Sequence, residues 1–346
     1  MPSYTLEDIA RQTGVSRSTV SRVVNNLPNV REDVRRRVLE AIEKNGYLPH
    51  AAARTLASRR SSIIGLILSQ TQSIDFIFTD PYYPYLMKGI SQACSQHEQT
   101  LALFLAETKE EEETIFPHVA RTGLLGGVIV QAGHHGDRWI IGKMAEAGIP
   151  MVVVGRTFRS KNISYIDIDN VSASQRAVNH LIHLNYKRIG TIAGPSASAV
   201  GVDRLAGYRK ALTAAGMGVD DALIAEGDFT EAGGYQAMQR MLPARPEAVF
   251  AASDIMALGA IRLLREAGLR VPQDVAFVGF DDLPLAFLED AQLTTIRQPV
   301  IQFGSRAVEL LLDLIEQGVK PPRQIIMDTE LIVRTSCGAS LRQKTV

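Results

Sequence analysis

Cysteine is scarce in this chain, and long apolar runs are missing from it. Only Cys94 and Cys337 occur in 346 residues, so neither a disulfide framework nor a cysteine metal site is expected. No uninterrupted apolar run approaches the roughly 20 residues that span a bilayer, and no secretory signal pattern precedes residue 5. We therefore expect a cytoplasmic protein with no metal, no cofactor and no membrane segment.

Sequence signatures of common α/β enzymes are missing as well. There is no Gly-x-Gly-x-x-Gly after the first predicted strand, no phosphate-binding Gly-Lys-Ser/Thr and no nucleophile elbow. We therefore do not expect an enzyme.

Net charge is also absent, with 37 basic against 37 acidic side chains, yet these charges are unevenly distributed. Residues 1–60 hold 11 Lys and Arg against 6 Asp and Glu, a surplus of +5 that the remaining residues cancel. A basic terminal segment on an acidic body is typical of proteins that bind nucleic acid.

The basic segment contains the pattern of a helix-turn-helix between residues 5 and 26. Leu6, Ile9 and Ala10 fall at helical spacing in the first helix. Thr5 is a suitable N-cap for that helix, and Gly14 permits the tight turn after it.

A second helix is predicted after Ser16, a good N-cap, with an apolar stripe of Val20, Val23 and Val24. Its outer face carries short polar and guanidinium side chains, namely Arg17, Ser18, Ser21, Arg22 and Asn25. Such groups reach base edges and phosphates, so we expect this helix to bind the major groove of double-stranded DNA. The alternative is an amphipathic hairpin without DNA contacts, which the charge asymmetry disfavours.

A third helix is predicted over residues 32–44, which makes this segment a small three-helix domain. Its apolar side is formed by Val34, Val38, Leu39 and Ile42. Four arginines near its start can contact phosphates or simply face solvent: Arg31, Arg35, Arg36 and Arg37.

These motifs closely resemble the LacI/GalR family of bacterial transcription regulators, from residue 5 to about residue 335. The resemblance is carried by Gly14-Val-Ser16 and by Thr19-Val-Ser-Arg22-Val-Val-Asn25. It implies a helix-turn-helix domain at 1–47, a hinge helix and linker at 48–60, and a two-lobed effector-binding and dimerisation domain at 61–346. The DNA-binding residues that it implies are Thr5, Leu6, Ser16, Arg17, Ser18, Ser21, Arg22, Asn25, Ala53 and Leu56.

The segment 47–58 matches the hinge helix of that family. About eight residues are too few for a stable isolated helix, so we expect order only with a partner hinge and DNA. Leu56 is then the expected wedge that unstacks a base step in the minor groove. Two residues depart from the family pattern: His50 replaces the usual Asn of the hinge, and Arg31 replaces the usual Ser before the third helix. These departures concern local contacts and not the domain as a whole.

From residue 61 onward, short apolar runs alternate with helical patterns. Strands are predicted at 63–68, 101–105, 127–130, 151–154, 188–193, 248–252 and 275–279, and helices at 84–97, 110–122, 138–147, 171–184, 204–215, 232–241 and 255–267. This alternation indicates doubly wound parallel sheets, and about 285 residues are enough for two such lobes. The resemblance implies a body like periplasmic sugar-binding proteins, with three crossings between the lobes and a ligand cleft between them.

The candidate cleft residues lie just after predicted strands. The resemblance implies effector contacts by Tyr82, Tyr83, Arg204, Phe229 and Asp281. We add three residues by position: Arg156, Ser253 and Asp254, of which Arg156 can instead form a structural ion pair and Asp254 can instead cap a helix.

This set of carboxylates, guanidinium groups and aromatic faces suits a sugar, and the long loop expected at 69–83 favours an oligosaccharide. Two further possibilities stay open: a corepressor-activated regulator that senses a nucleobase or a phosphoprotein, and a sugar-binding protein for which DNA binding is incidental.

The resemblance implies a dimerising body, and the tetramerising tail of that family would need a leucine heptad, for which residues 337–346 are too short and polar. We therefore expect a homodimer. Its two recognition helices would read a pseudo-palindromic operator, chiefly through Arg17, Ser18 and Arg22. Ligand closure of the cleft would then disorder the hinge helices, and the sign of the response is open.

Leu56→Ala tests the hinge expectation. We expect weaker specific DNA binding and a smaller bend at the central step, because the wedge is lost. Weak non-specific binding, which depends on phosphate neutralisation, should persist. Gel-shift comparison of affinity and bend angle measures both, and unchanged values would remove Leu56 from this role.

Overall fold

The computed structural model describes residues 4–24, 27–47, 61–69, 74–121, 124–132, 138–156, 162–283, 292–318 and 322–342. The chain divides into two compact units, Met1–Ser62 and Ile63–Val346. The expected hinge at 48–60, with Ala53 and Leu56, lies outside the described residues, as does Asn25.

Three helices form the first unit: α1 (Leu6–Thr13), α2 (Arg17–Val24) and α3 (Glu32–Asn45). Their shared core consists of Ile9, Ala10, Val20, Val23, Val38, Ala41 and Tyr47. The assignment of Leu39 to the apolar side of α3 is wrong, since its side chain is 49% exposed. Ala41 lies three positions after Val38 and shares its face, whereas the next residue along a helix points away from it.

Both helices of the helix-turn-helix begin at the predicted caps. Thr5 forms a capping box with Asp8, and Gly14 ends α1 in the left-handed conformation at φ 68°. Ser16 Oγ accepts the Thr19 N–H at 3.1 Å at the start of α2. These caps fix the turn that orients α2 on α1.

Twelve strands are described in the second unit: β1 (Ile63–Ser69), β2 (Thr100–Ala106), β3 (Gly127–Gln131), β4 (Met151–Val154), β5 (Ser164–Ile168), β6 (Ile189–Ala193), β7 (Ile224–Glu226), β8 (Ala248–Ala251), β9 (Ala276–Asp281), β10 (Thr294–Arg297), β11 (Gln324–Met327) and β12 (Glu330–Ile332). They form two six-stranded sheets with the orders β11-β5-β4-β3-β1-β2 and β12-β10-β9-β8-β6-β7. Neighbouring strands are parallel except for the β10–β12 pair. This confirms the predicted two-lobed, doubly wound fold.

The helices of this unit are α4 (Ile74–Thr79), α5 (Tyr82–Gln96), α6 (Lys109–Arg121), α7 (Arg138–Glu146), α8 (Asn170–His183), α9 (Ala199–Ala214), α10 (Glu231–Met241), α11 (Asp254–Glu266), α12 (Val300–Gln317) and α13 (Ala339–Arg342). In the first lobe α5 packs against α12, and in the second α8 packs on α9 and α10 on α11. Throughout the described part of the chain, no helix has the length and apolar character that a membrane crossing requires.

The chain crosses between the lobes three times, as expected: after β5, after β10, and between β11 and β12. The first lobe therefore combines β1–β5 with α12 and β11 from much later in the chain. Because both sheets direct the carboxyl ends of their central strands toward these crossings, side chains after the strands meet there.

Several elements differ from the sequence expectation. Five short strands were not predicted: β5, β7, β10, β11 and β12. Helix α12 was also missed, and the expected loop at 69–83 is wrong, since α4 lies within it and α5 begins at Tyr82. Helix α9 begins five residues before Arg204, which Ser198 permits by capping it.

The contact between α5 and α12 depends on glycine. A Cβ atom built on Gly89 would lie 1.9 Å from the Ile301 carbonyl oxygen, and one on Gly304 would lie 2.5 Å from the Leu86 carbonyl oxygen. These backbone atoms can approach only because neither glycine has a side chain. The two helices can therefore pack closely over the first sheet.

Gly89→Ala should destabilise the protein by at least about 1–3 kcal/mol, because the added methyl group overpacks this contact. Gly142→Ala is the matched control: Gly142 also lies within a helix, α7, but a Cβ there meets nothing within 4 Å. It should stabilise by about 0.5–1 kcal/mol through helix propensity. Urea unfolding measures both, and equal effects would contradict the close-packing argument.

Candidate functional site

The outer face of α2 presents the polar side chains that the sequence predicts for DNA binding. Arg17, Ser18 and Arg22 are exposed, and Ser21 is half-buried. The Arg17 side chain is 71% exposed, and its Nε lies 3.0 Å from Glu7 Oε1. Exposed ion pairs contribute little, so DNA phosphates can replace Glu7 as the partner of Arg17.

The two predicted DNA contacts at the start of α1 have structural roles. Thr5 Oγ1 donates to Asp8 Oδ2 at 2.7 Å within the capping box. Leu6 is half-buried against the three-helix core. Its DNA contacts, like those of the α2 residues, stay predictions.

A cavity of about 770 Å³, including the part open to solvent, lies between the two sheets of the second unit. Both lobes line it, through Phe76, Asp80, Tyr82, Tyr83, Gln131, Ala132, Gly155, Asp167, Asn170, Ser198, Val200, Arg204, Asp228, Phe229, Ser253, Asp281, Gln298 and Phe303. Six of the eight predicted effector residues are among them, and Arg156 and Asp254 are not.

Arg204 lies in the second turn of α9 and forms part of the cavity wall. It is only 5% exposed. Its Nε donates to Asn170 Oδ1 at 3.0 Å, and its Nη1 donates to the Ala252 carbonyl oxygen at 2.5 Å. The guanidinium also lies over the Phe280 ring, 3.6 Å from the centroid. Burial lowers the pKa of Arg204, and the nearby Asp281 opposes this.

Asp281 ends β9 and faces Arg204. Its Oδ1 accepts from Gln298 Nε2 at 2.5 Å and lies 3.5 Å from Arg204 Nη1. Burial raises the pKa of this carboxyl, while Arg204 lowers it. The backbone is strained here, because Asp281 has φ 124° and Asp282 has φ 53°. Contacts with neighbouring residues must therefore stabilise the turn at Asp281 and Asp282.

Asp254 holds this turn and does not line the cavity, so the prediction that it contacts the effector is not supported by its position. Asp254 Oδ2 accepts the Asp282 N–H at 2.8 Å, and Oδ1 accepts from Thr295 Oγ1 at 2.7 Å. Burial raises its pKa. The cap of α11 is Ser253, whose Oγ accepts the Met256 N–H, and not Asp254. Asp254 is thus a positioning residue for Asp281.

Two further aspartates, Asp80 and Asp167, line the cavity from the first lobe. Asp80 Oδ1 accepts the Tyr82 N–H at 2.9 Å, and Asp167 Oδ1 accepts the Ile168 N–H at 2.8 Å. Burial raises the pKa of Asp80 to about 7 and that of Asp167 to about 6. The negative charge of Asp281 also raises the pKa of Asp80, so these two carboxyl groups interact electrostatically across the cavity.

Aromatic rings supply the apolar part of the cavity. Tyr82 and Tyr83 pack edge-to-face with centroids 5.5 Å apart. Burial raises the pKa of the Tyr82 hydroxyl, which stays protonated and donates to Gln131 Oε1 at 3.3 Å. In the second lobe the Phe229 ring lies so close to Gly194 that a Cβ there would be 2.4 Å from Phe229 Cζ. Gly194 therefore makes room for this ring.

Arg156 forms an ion pair with Asp203, one of the two roles considered for it. Its Nη2 lies 2.5 Å from Asp203 Oδ2, and the bond joins the end of β4 to α9. It thus links the two lobes beside the cavity.

Seven polar lining residues are not among the eight predicted effector contacts: Asp80, Gln131, Asp167, Asn170, Ser198, Asp228 and Gln298. Asp167 lies within β5, Asn170 follows it at the first crossing, and Gln298 follows β10 at the second crossing; the sequence revealed neither strand. Ser198 carries a signal that could have been used, because a serine before a helical pattern is a typical N-cap.

Asp80→Asn tests the buried carboxyl. Asparagine keeps the acceptor for the Tyr82 N–H but has no charge. Because the folded pKa is about 7 and the unfolded one about 3.9, wild type loses stability as pH rises between these values. The stability of Asp80→Asn relative to wild type should therefore rise by about 1–2 kcal/mol between pH 5.5 and pH 8.

Asp169→Asn is the control for this titration. Asp169 is exposed and caps α8 by accepting the Ser172 N–H at 2.9 Å. The Ser172 side chain, which also donates to it, lowers its pKa, so its contribution is lost only in acid. Urea unfolding at both pH values should show no pH-dependent difference for this variant. A flat result for Asp80→Asn would contradict the raised pKa.

Comparison with known proteins places both units in one family. A family model for bacterial regulatory proteins of the lacI family matches residues 5–50, and one for a periplasmic binding protein-like domain matches residues 178–337. The HTH-type transcriptional regulator CelR of Thermobifida fusca is 38% identical over 336 residues, covering 96% of this chain and 98% of CelR. The HTH-type transcriptional repressor CytR of Escherichia coli (strain K12) is 34% identical over 340 residues, covering 97% of this chain and 96% of CytR.

Solved structures agree with these relatives. A transcriptional regulator CelR-cellobiose complex has a TM-score of 0.75 and 36% identity, over 96% of this chain and 99% of that chain. A lac repressor dimer bound to operator and the anti-inducer ONPF has a TM-score of 0.83 and 28% identity, over 97% of this chain and 99% of that chain. The relatives are named as regulators of transcription and not as enzymes. This chain belongs to the LacI family of bacterial regulatory proteins and is a transcriptional regulator.

Proposed function

We propose that this regulator binds a pseudo-palindromic operator as a homodimer, and that a saccharide in the cavity between its lobes controls the affinity for DNA. The observation that carries this proposal is the cavity that is lined both by the Arg204–Asp281 pair and by the aromatic rings of Tyr82 and Phe229. Because a bacterial regulator must act where the DNA is, we propose that the protein and its ligand meet in the cytoplasm.

The first unit supports operator binding. Arg17, Ser18 and Arg22 project from a capped helix whose opposite face is buried, so their positions are fixed for contacts with base edges and phosphates. A dimer with a two-fold axis would present two such helices to two half-sites. The lac repressor relative is a dimer bound to operator, which supports the same arrangement for this chain.

The chemistry of the cavity supports a saccharide. Carboxylates accept hydrogen bonds from paired hydroxyls, and aromatic rings cover the apolar face of a sugar ring. The CelR relative is seen in complex with cellobiose, so cellobiose is the first ligand to test.

A ligand in this cavity would contact both lobes. Tyr82 belongs to the first lobe, whereas Arg204 and Phe229 belong to the second. Such a ligand stabilises one arrangement of the lobes over another and shifts DNA affinity by its differential binding to the two states. For a catabolic sugar we propose induction, in which the ligand releases the operator.

A panel of mono- and oligosaccharides that includes cellobiose tests this function. At least one should raise the melting temperature, because it binds the folded state, and the same one should shift operator affinity, because coupling is reciprocal. Asp281→Ala should abolish both responses and leave sugar-free operator binding intact. Asp281→Asn, which keeps the side-chain shape, replaces it if the alanine variant is unstable.

Asp274→Ala is the control, since Asp274 is an exposed aspartate of the same lobe that pairs with Arg270. It should respond like wild type. A normal response of the Asp281 variants would remove Asp281 from the site. A full panel with no thermal shift, beside a positive result from nucleobases or a phosphoprotein, would overturn the saccharide proposal.

A further inference from the structure

The charged side chains that line the cavity are predominantly acidic. Among the lining residues that the structure describes, four are aspartates, Asp80, Asp167, Asp228 and Asp281, and one is a cation, Arg204. They come from both lobes, so the acidic character is not confined to one wall. An anion in the cavity would meet like charges on several sides, which disfavours its binding.

The single cation of this described set is already used by the protein. Arg204 donates to Asn170 and to the Ala252 carbonyl oxygen and lies 3.5 Å from Asp281. Its guanidinium lies on the Phe280 ring. A bidentate guanidinium–phosphate contact would have to replace these bonds, whose loss would leave buried groups without partners.

Helix N-termini, the other common anion site, are partly satisfied by side chains. Three helices begin beside the cavity with a side-chain cap: Ser198 Oγ accepts the Gly201 N–H of α9, Thr230 Oγ1 accepts the Gly233 N–H of α10, and Ser253 Oγ accepts the Met256 N–H of α11. Asp80 likewise accepts the Tyr82 N–H of α5. A phosphate would have to compete with a side chain for one backbone donor at each of these helix starts.

Hydrogen-bonding capacity adds to the effect of charge. Ionised carboxylates only accept hydrogen bonds, and a dianionic phosphate also only accepts them. Hydroxyl groups donate as well as accept, so they can pair with every aspartate of the cavity. Asp80 is suited to distinguish a hydroxyl from a phosphate. Its Oδ1 is held in place by the Tyr82 N–H, and its negative charge adds to that of Asp281 in the cavity.

We propose that this cavity selects uncharged, hydroxyl-rich ligands and excludes phosphorylated or otherwise anionic sugars, with Asp80 as a residue that determines this specificity. The inference rests on the proposed saccharide function and narrows its ligand class. The reaction that supplies the ligand then delivers the sugar without transferring a phosphoryl group to it, and the regulator senses the sugar before any phosphorylation.

Matched ligands test the exclusion. Each saccharide that binds, beginning with cellobiose, is compared by calorimetry at pH 8 with its 6-phosphate and its 6-O-acetyl ester. The phosphate should bind at least about 100-fold more weakly than the parent sugar, because several carboxylates oppose it. The acetyl ester adds comparable bulk without charge and should lose much less affinity than the phosphate.

Asp80→Asn tests the residue itself. It keeps the bond to the Tyr82 N–H but removes one carboxylate charge, so the affinity for the 6-phosphate relative to that for the parent sugar should improve at least about tenfold. Asp169→Asn removes one carboxylate charge from an exposed helix cap outside the cavity and should change neither affinity.

The outcomes separate the inference from the proposed function. If the parent sugar and its 6-phosphate bind within about threefold of each other, the exclusion is overturned and the saccharide function stands. Equal losses for the acetyl ester and the phosphate would show a steric limit and would also overturn it. An unchanged ratio of 6-phosphate to parent-sugar affinity in Asp80→Asn removes Asp80 from the specificity. If no saccharide binds, the proposed function fails, and the inference fails with it.

Discussion

The burial of one guanidinium group constrains most of the ligand cavity. Arg204 is almost inaccessible to solvent, and a buried charge is stable only when it is paired and hydrogen-bonded. Its partners, Asn170, Ala252 and Asp281, lie at the first crossing and at the ends of β8 and β9. The hydrogen bonds and the ion pair of Arg204 therefore fix the relative positions of three separate segments. The strained turn at Asp281 belongs to the same network.

The sequence predicts the architecture well where burial leaves a clear pattern. Strands β1, β3, β4, β6 and β8 are short apolar runs, and the structure buries them between helices. β5 and β10 were missed because polar residues such as Asp167 and Thr294 interrupt their apolar pattern. Helix α12 is different, since Phe303, Ala307 and Leu311 lie on one face at helical spacing, and this signal was available.

The candidate site was only partly predictable, for a physical reason. Tyr82, Phe229, Ser253 and Asp281 follow recognisable strands or precede helices, so the rule that ligands lie beyond the carboxyl ends of strands finds them. Asn170 and Gln298 lie at crossings between the lobes, where only the tertiary fold brings distant segments together. Asp254 was proposed as a ligand contact because it follows a predicted strand, but only Ser253 of this pair lines the cavity, and the Asp254 carboxylate bonds to Asp282 and Thr295 instead.

The two sheets share a late source of edge strands. Only Asp328 and Thr329 separate β11, which pairs with β5 in the first sheet, from β12, which pairs with β10 in the second. During synthesis, neither sheet can gain its last strand until the ribosome has released this short segment. The lobes therefore complete together and not in order of translation, and β5 and β10 present open edges to other chains until then.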